Sequence, residues 1–77
     1  MNTYKRNVIG LVRSEIPIIS ERDISLLCYI YEGFSAKRIS IFIGETTSTI
    51  LTRKSRLRSQ IARLGSANAR GILEEMP

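Results

Sequence analysis

Residues 35–64 read SAKRISIFIGETTSTILTRKSRLRSQIARL, two helical patterns joined by a break. Ser35 supplies a capping hydroxyl, and Ile39, Phe42 and Ile43 recur at helical spacing on one face. Gly44-Glu45-Thr46 interrupts that pattern after about two turns. Thr46 or Thr47 then caps a second helix, which runs to Leu64 and is stopped by Gly65. A short helix, a tight turn and a longer helix make a helix-turn-helix unit. Ser40 is small where the two helices would cross, so their backbones can approach closely.

The longer helix has unusual chemistry. Between Ser48 and Leu64 there are five cations and no carboxylate, although opposite charges four residues apart would stabilise an exposed helix. At 100° per residue, Ile50, Leu57, Ile61 and Leu64 fall within about 60° of one another and form the stripe expected to face the core. Ser48, Thr52, Ser55 and Ser59 cluster on the opposite side, with Leu51 at their edge. Lys54 and Arg58 lie on one flank between the stripes, and Arg53, Arg56 and Arg63 on the other. A helix in a major groove needs slim hydrogen-bonding or methyl-bearing side chains toward the base edges and cations toward the phosphate walls. Carboxylates would repel the polyanion. The alternative for any such charge run is a solvated basic helix.

On the N-terminal side of this unit, Ser20 precedes Glu21-Arg22-Asp23, a variant of the capping box. Ile24, Leu27, Cys28 and Tyr31 follow at helical spacing up to a stop at Gly33. Tyr29 and Tyr31 point from different faces of this helix, one to the core and one to an interface. Cys28, on the apolar face, reads as a buried structural thiol. Upstream, Tyr4, Val8, Leu11 and Val12 predict a short amphipathic helix over residues 3–13, weakened by Gly10; Pro17 marks a connector. Downstream, Ser66 can cap a final short helix through Met76. The expected fold is all-α: a small bundle of four or five helices containing a helix-turn-helix. Residues 1–18 form the N-terminal helix and connector, and 19–77 the helix-turn-helix domain.

The composition narrows the function. The 77 residues are 43% hydrophobic and 25% charged, which fits one folded domain. A net charge of +5 points to an anionic partner. The surplus is local: between Glu45 and Glu74 every charge is positive. There is no histidine and only one cysteine, so the commonest general base and the usual zinc spacings are missing. No glycine-rich phosphate loop is present either. An enzyme, a metal site and a cofactor are therefore not expected. No aromatic interleaves the basic residues, which argues against stacking on single strands. No apolar run approaches the length of a membrane span, and the lone cysteine suits a reducing compartment, so a cytoplasmic location without membrane contact is expected.

Ile19-Ser-Glu-Arg-Asp, Leu26-Leu27, Gly33-Phe-Ser-Ala-Lys-Arg-Ile39-Ser40 and Thr49-Ile50, followed by a basic helix, resemble the LuxR/GerE-type helix-turn-helix domain of bacterial transcriptional regulators. The match runs in register from about Ile19 to Leu64. The 44–50 segment and its Arg-rich continuation are also similar to C-terminal effector domains of Bacteroidetes regulators, and sigma-factor region four shares the helix plan. The resemblance implies a recognition helix around 47–64 that reads double-stranded DNA. It places Leu51, Thr52 and Ser55 toward bases, in agreement with the helical wheel, which adds Ser48. Arg53, Arg56 and Lys37 stand at phosphate-contacting positions, joined from the wheel by Lys54 and Arg58. The last helix, near Ala67–Met76, is where such domains often dimerise. Glu45 departs from the pattern, which has an aliphatic core plug there. Burying an ionised carboxylate without a partner is costly, so the turn is expected to open outward.

These readings predict a DNA-binding transcriptional regulator acting as a homodimer, assembled through the last helix, residues 3–13 or an upstream sensor domain. The alternative is an interaction module that keeps the fold without reading DNA, its basic helix docking on RNA polymerase or a sensor partner.

Overall fold

The computed structural model describes residues 3–76, with side chains from Val8 onward; Tyr4, expected on the apolar face of the first helix, lies outside the described side chains. Five helices follow one another: α1 (Thr3–Glu15), α2 (Glu21–Tyr31), α3 (Ala36–Ile43), α4 (Thr47–Leu64) and α5 (Ala67–Glu75). The described residues contain no strand. The fold is the expected small all-α bundle.

Local chemistry sets the boundaries. Ser20, Ser35, Thr46 and Ser66 occupy the N-caps of α2 to α5. Each hydroxyl accepts from the backbone N–H three residues on, at Asp23, Arg38, Thr49 and Ala69, over 3.0–3.2 Å. Each bond satisfies an amide that the helix itself leaves unpaired. Gly44 ends α3 at φ 80°, where a side chain would be strained; the N–H groups of Gly44 and Glu45 both donate to the Ser40 carbonyl. The chain thereby reverses within residues 44–46 and enters α4. At the other end, α1 continues past the expected stop at residue 13 to Glu15, because Pro17 constrains only the residues just before it.

One core joins all five helices. Val8, Val12 and Ile16 come from α1 and its end, Leu26, Leu27 and Ile30 from α2, Ile39 from α3, Ile50, Leu57 and Ile61 from α4, and Ala69 and Ile72 from α5. Helix α5 packs between α1 and α4, while α3 lies against α4 and α2. The Tyr31 hydroxyl donates to the Ile72 carbonyl at 2.7 Å, tying α2 to α5. Tyr31 is thus the core tyrosine, and Tyr29 the partly exposed one. Burial pushes the Tyr31 phenol up to about 12, with the nearby Arg58 opposing the shift.

Three apolar positions differ from the expectation. Leu64 is exposed although its angle matches the core stripe, because the stripe runs past its packing partners in the last turn of α4. Phe42 is also exposed, turned toward α2 instead of the centre. Cys28 is half-buried, its place in the core taken by Leu26 and Ile30. Burial still raises the thiol above its ordinary value, which keeps it protonated and slow as a nucleophile.

Candidate nucleic-acid interface

The inner side of α4 is fixed by Ile50, Leu57 and Ile61, all buried. This anchoring decides which residues face outward. Ser48, Leu51, Thr52 and Ser55 are all exposed on the outer side, together with Ser59. Thr46 begins the helix, its hydroxyl donating to the Thr49 hydroxyl at 2.8 Å, so the hydroxyls of the first turn are ordered. Leu51, Lys54, Ser55 and Arg58 line a shallow depression of about 180 Å³ along the outer surface. Arg56 and Arg63 are exposed on the other flank.

On the α3 side, Ser40 is buried and its hydroxyl donates to the Lys37 carbonyl at 2.5 Å. The Thr47 hydroxyl donates in turn to Ser40 Oγ at 3.4 Å. The small side chain does allow the close approach of α3 and α4, and it ties them with a hydrogen bond across the turn. Lys37 is exposed in the first turn of α3.

Arg53 has a different environment from the other cations. Its side chain is only 16% exposed, and its guanidinium is held on three sides. Nη1 donates to Glu45 Oε1 at 2.5 Å. Nη2 donates to Asp23 Oδ1 at 3.2 Å and to the Arg22 carbonyl at 3.2 Å. Arg22 also reaches Glu45 Oε1 at 3.5 Å. Arg53, expected at a phosphate-contacting position, thus has both Nη1 and Nη2 engaged within the protein. The expectation for Glu45 changes with it. The turn does not open outward, because the carboxylate, 21% exposed, has a guanidinium partner that removes the cost of partial burial. The capping box is altered as well, with Asp23 binding Arg53 across the fold.

The result is a nearly neutral ionic junction joining the start of α2, the turn and α4. The remaining cations of α4 stay free: among the described residues, Lys54, Arg56, Arg58 and Arg63 make no ion pair. A cleft of about 380 Å³ beside the junction is lined by Arg22, Arg53, Arg56 and Gln60, among others. Sequence reasoning missed Asp23 and Arg22 as site-positioning residues. Only the unexplained charge of Glu45 hinted at such partners.

The last helix, Ala67–Glu75, is where the resemblance implies a dimer contact. The apolar side of α5, Ala69 and Ile72, is buried against the chain's own core, as is Met76 beyond it. Its outer side carries Asn68, Arg70, Glu74 and Glu75, all exposed. Leu73 is partly buried between these two sides.

No described group of acidic residues or cysteine could hold a metal ion. No described helix is long and apolar enough to cross a membrane. Fold and surface together define a small helical bundle presenting one basic, hydroxyl-rich helix. Comparison with protein-family models, curated proteins and solved structures finds no match.

Proposed function

We propose that this chain is a DNA-binding helix-turn-helix domain acting in transcriptional control, with α4 lying in the major groove. The observation that carries the reading is the outer surface of α4, where Ser48, Leu51, Thr52 and Ser55 are exposed between unpaired cations and no carboxylate intrudes. Small hydroxyls and a leucine offer hydrogen bonds and methyl contacts to base edges. Lys54, Arg56 and Arg58, with Lys37 from the adjoining helix, neutralise phosphates and supply most of the affinity. Arg53 acts indirectly, by holding α4 against the turn and α2 so that the four phosphate contacts are presented together. A domain this small gains useful affinity by binding as a pair on two half-sites. The apolar side of α5 is already packed on the core, so pairing would use polar parts of the last or the first helix, or an upstream sensor domain. The activity requires no catalysis, metal or cofactor, and is suited to the cytoplasm.

The test is affinity for a mixed-sequence duplex across a salt series, followed by selection from a random library. Four phosphate contacts predict a log–log slope no steeper than about −3.6 per domain, at about −0.9 per phosphate, together with an enriched motif. The double variant Arg56→Glu, Arg58→Glu should abolish binding with the helical spectrum unchanged. Charge reversal at Arg53 is unsuitable for this purpose, since it would break the ionic junction. A folded wild-type protein that ignores duplex DNA at low salt would refute the proposal and favour a protein partner for α4, such as RNA polymerase or a sensor domain.

A further inference from the structure

Helix α3 carries a second outward surface that neither the core nor α4 uses. Ile39 and Ser40 are buried, with Ile43 partly so. On the opposite side stand Lys37, Arg38, Ile41 and Phe42, and α3 contains no carboxylate. Ile41 is 72% exposed and Phe42 49%. Just before the helix, Phe34 is 39% exposed. The Phe42 ring lies 5.4 Å from Tyr29 and 5.3 Å from Phe34, and Tyr29 lies 6.0 Å from Phe34. The three rings therefore form one cluster at the α2–α3 corner.

The two edges of α3 face different neighbours. Ser40 marks the edge next to α4, since Thr47 bonds to it. Going round the helix at 100° per residue, Lys37 follows Ser40, then Ile41, Arg38 and Phe42, ending at Tyr29 of α2. Lys37 thus borders the α4 surface, while the ring cluster lies at the far edge. Single exposed apolar side chains are ordinary. Two phenylalanines packed against a third ring and flanked by a mostly exposed isoleucine make a patch of the kind found at interaction sites.

We propose that Phe34, Arg38, Ile41 and Phe42, backed by Tyr29, dock an acidic amphipathic helix of another protein. Apolar side chains at helical spacing would cover the rings and Ile41. Carboxylates beside them would meet Arg38, which makes no ion pair with a described residue, and Lys37 at the margin. Other occupants fit less well. A second copy would present the same α3 surface, which has no carboxylate to offer Arg38. A duplex on α4 reaches the Lys37 edge and leaves the rings uncovered. The inference does not rest on DNA binding.

The experiment uses the whole chain, ¹⁵N-labelled, titrated with two synthetic helical peptides. They share Leu and Phe at i, i+3, i+4 and i+7, and differ only in flanking Glu or flanking Lys. The acidic peptide should bind saturably, shifting the amides of Phe34, Arg38, Ile41 and Phe42, and the basic peptide should not. Phe42→Ser should weaken the acidic peptide at least about tenfold. Arg38→Glu, at an exposed position, should reverse the preference toward the basic peptide. Arg56→Glu with Arg58→Glu should leave the acidic peptide's affinity within about twofold. The proposal is overturned if the shifts centre on Lys54, Arg56 and Arg58, which would mean nonspecific attraction to α4. It is equally overturned by absence of saturable binding, or by self-association that Phe42→Ser abolishes, which would make this surface a contact between copies.

Discussion

Replacing Arg53 by methionine keeps most of the side-chain volume and removes the guanidinium. Three hydrogen bonds then disappear, two of them to carboxylates. Glu45, 21% exposed, keeps only its longer contact with Arg22 at 3.5 Å. A hydrogen bond to a charged group contributes about 1.5–3 kcal/mol when well shielded, whereas an open surface pair contributes about 0–1 kcal/mol. Arg53 and Glu45 lie between these limits, and their bonds are not additive, so the loss should be about 2 kcal/mol. With an unfolding entropy of about 2.1 cal/mol/K per residue over 77 residues, this lowers Tm by about 12 °C. Arg56→Met, one turn along on the exposed flank, should change stability by no more than about 0.5 kcal/mol.

Calorimetry of Arg53→Met, Glu45→Gln and the double variant completes a cycle, whose coupling should be at least about 1 kcal/mol. A second assay separates positioning from phosphate contact. Arg56→Met should flatten the DNA salt slope by about 0.9, while Arg53→Met should weaken binding and leave the slope unchanged. If Arg53→Met is no more destabilising than Arg56→Met, or flattens the slope equally, Arg53 is a phosphate contact and the junction has no positioning role. The stability cycle remains informative even for a protein that binds no DNA.

Tyr31→Phe should cost about 1 kcal/mol through the lost bond to Ile72. The raised Tyr31 value also predicts an alkaline transition. Its contribution is complete below the unfolded value near 10 and is lost as pH climbs toward about 12, because the unfolded chain ionises first. By pH 11.5 the loss is about 2 kcal/mol; urea titrations at pH 9 and 11.5 should show it in the wild type and not in Tyr31→Phe. Gly44→Ala forces a side chain into the left-handed region at φ 80° and should lower stability by about 1–2 kcal/mol, measurable in the same titration. Ile61→Ala, at a fully buried position of α4, should cost about 2–5 kcal/mol, a large share of a small domain's stability, and shift the urea midpoint accordingly. Cys28 should react with a disulfide reagent at neutral pH far more slowly in the native protein than in urea, because burial disfavours its thiolate.

The helices and their order follow from short-range chemistry along the chain. Ser20, Ser35, Thr46 or Thr47, and Ser66 as caps, Gly33, Gly44 and Gly65 as stops, and the spacing of Ile50, Leu57 and Ile61 are local features. Caps act over three residues and a helical stripe repeats every few, so both can be read without knowing what packs opposite. The same wheel brought Ser48, Thr52, Ser55, Arg56 and Arg58 to the outside of α4, because the buried stripe fixes the rotation of the helix. It could not place Leu64, Phe42 or Cys28, since an angle gives a direction but not the neighbour that fills it. It also could not distinguish Arg53 from the other cations. Glu45 is eight residues from Arg53, and Asp23 is thirty residues away; only the tertiary packing brings both carboxylates to one guanidinium. Electrostatic pairing depends on distance through space, whereas sequence spacing reports distance along a single helix.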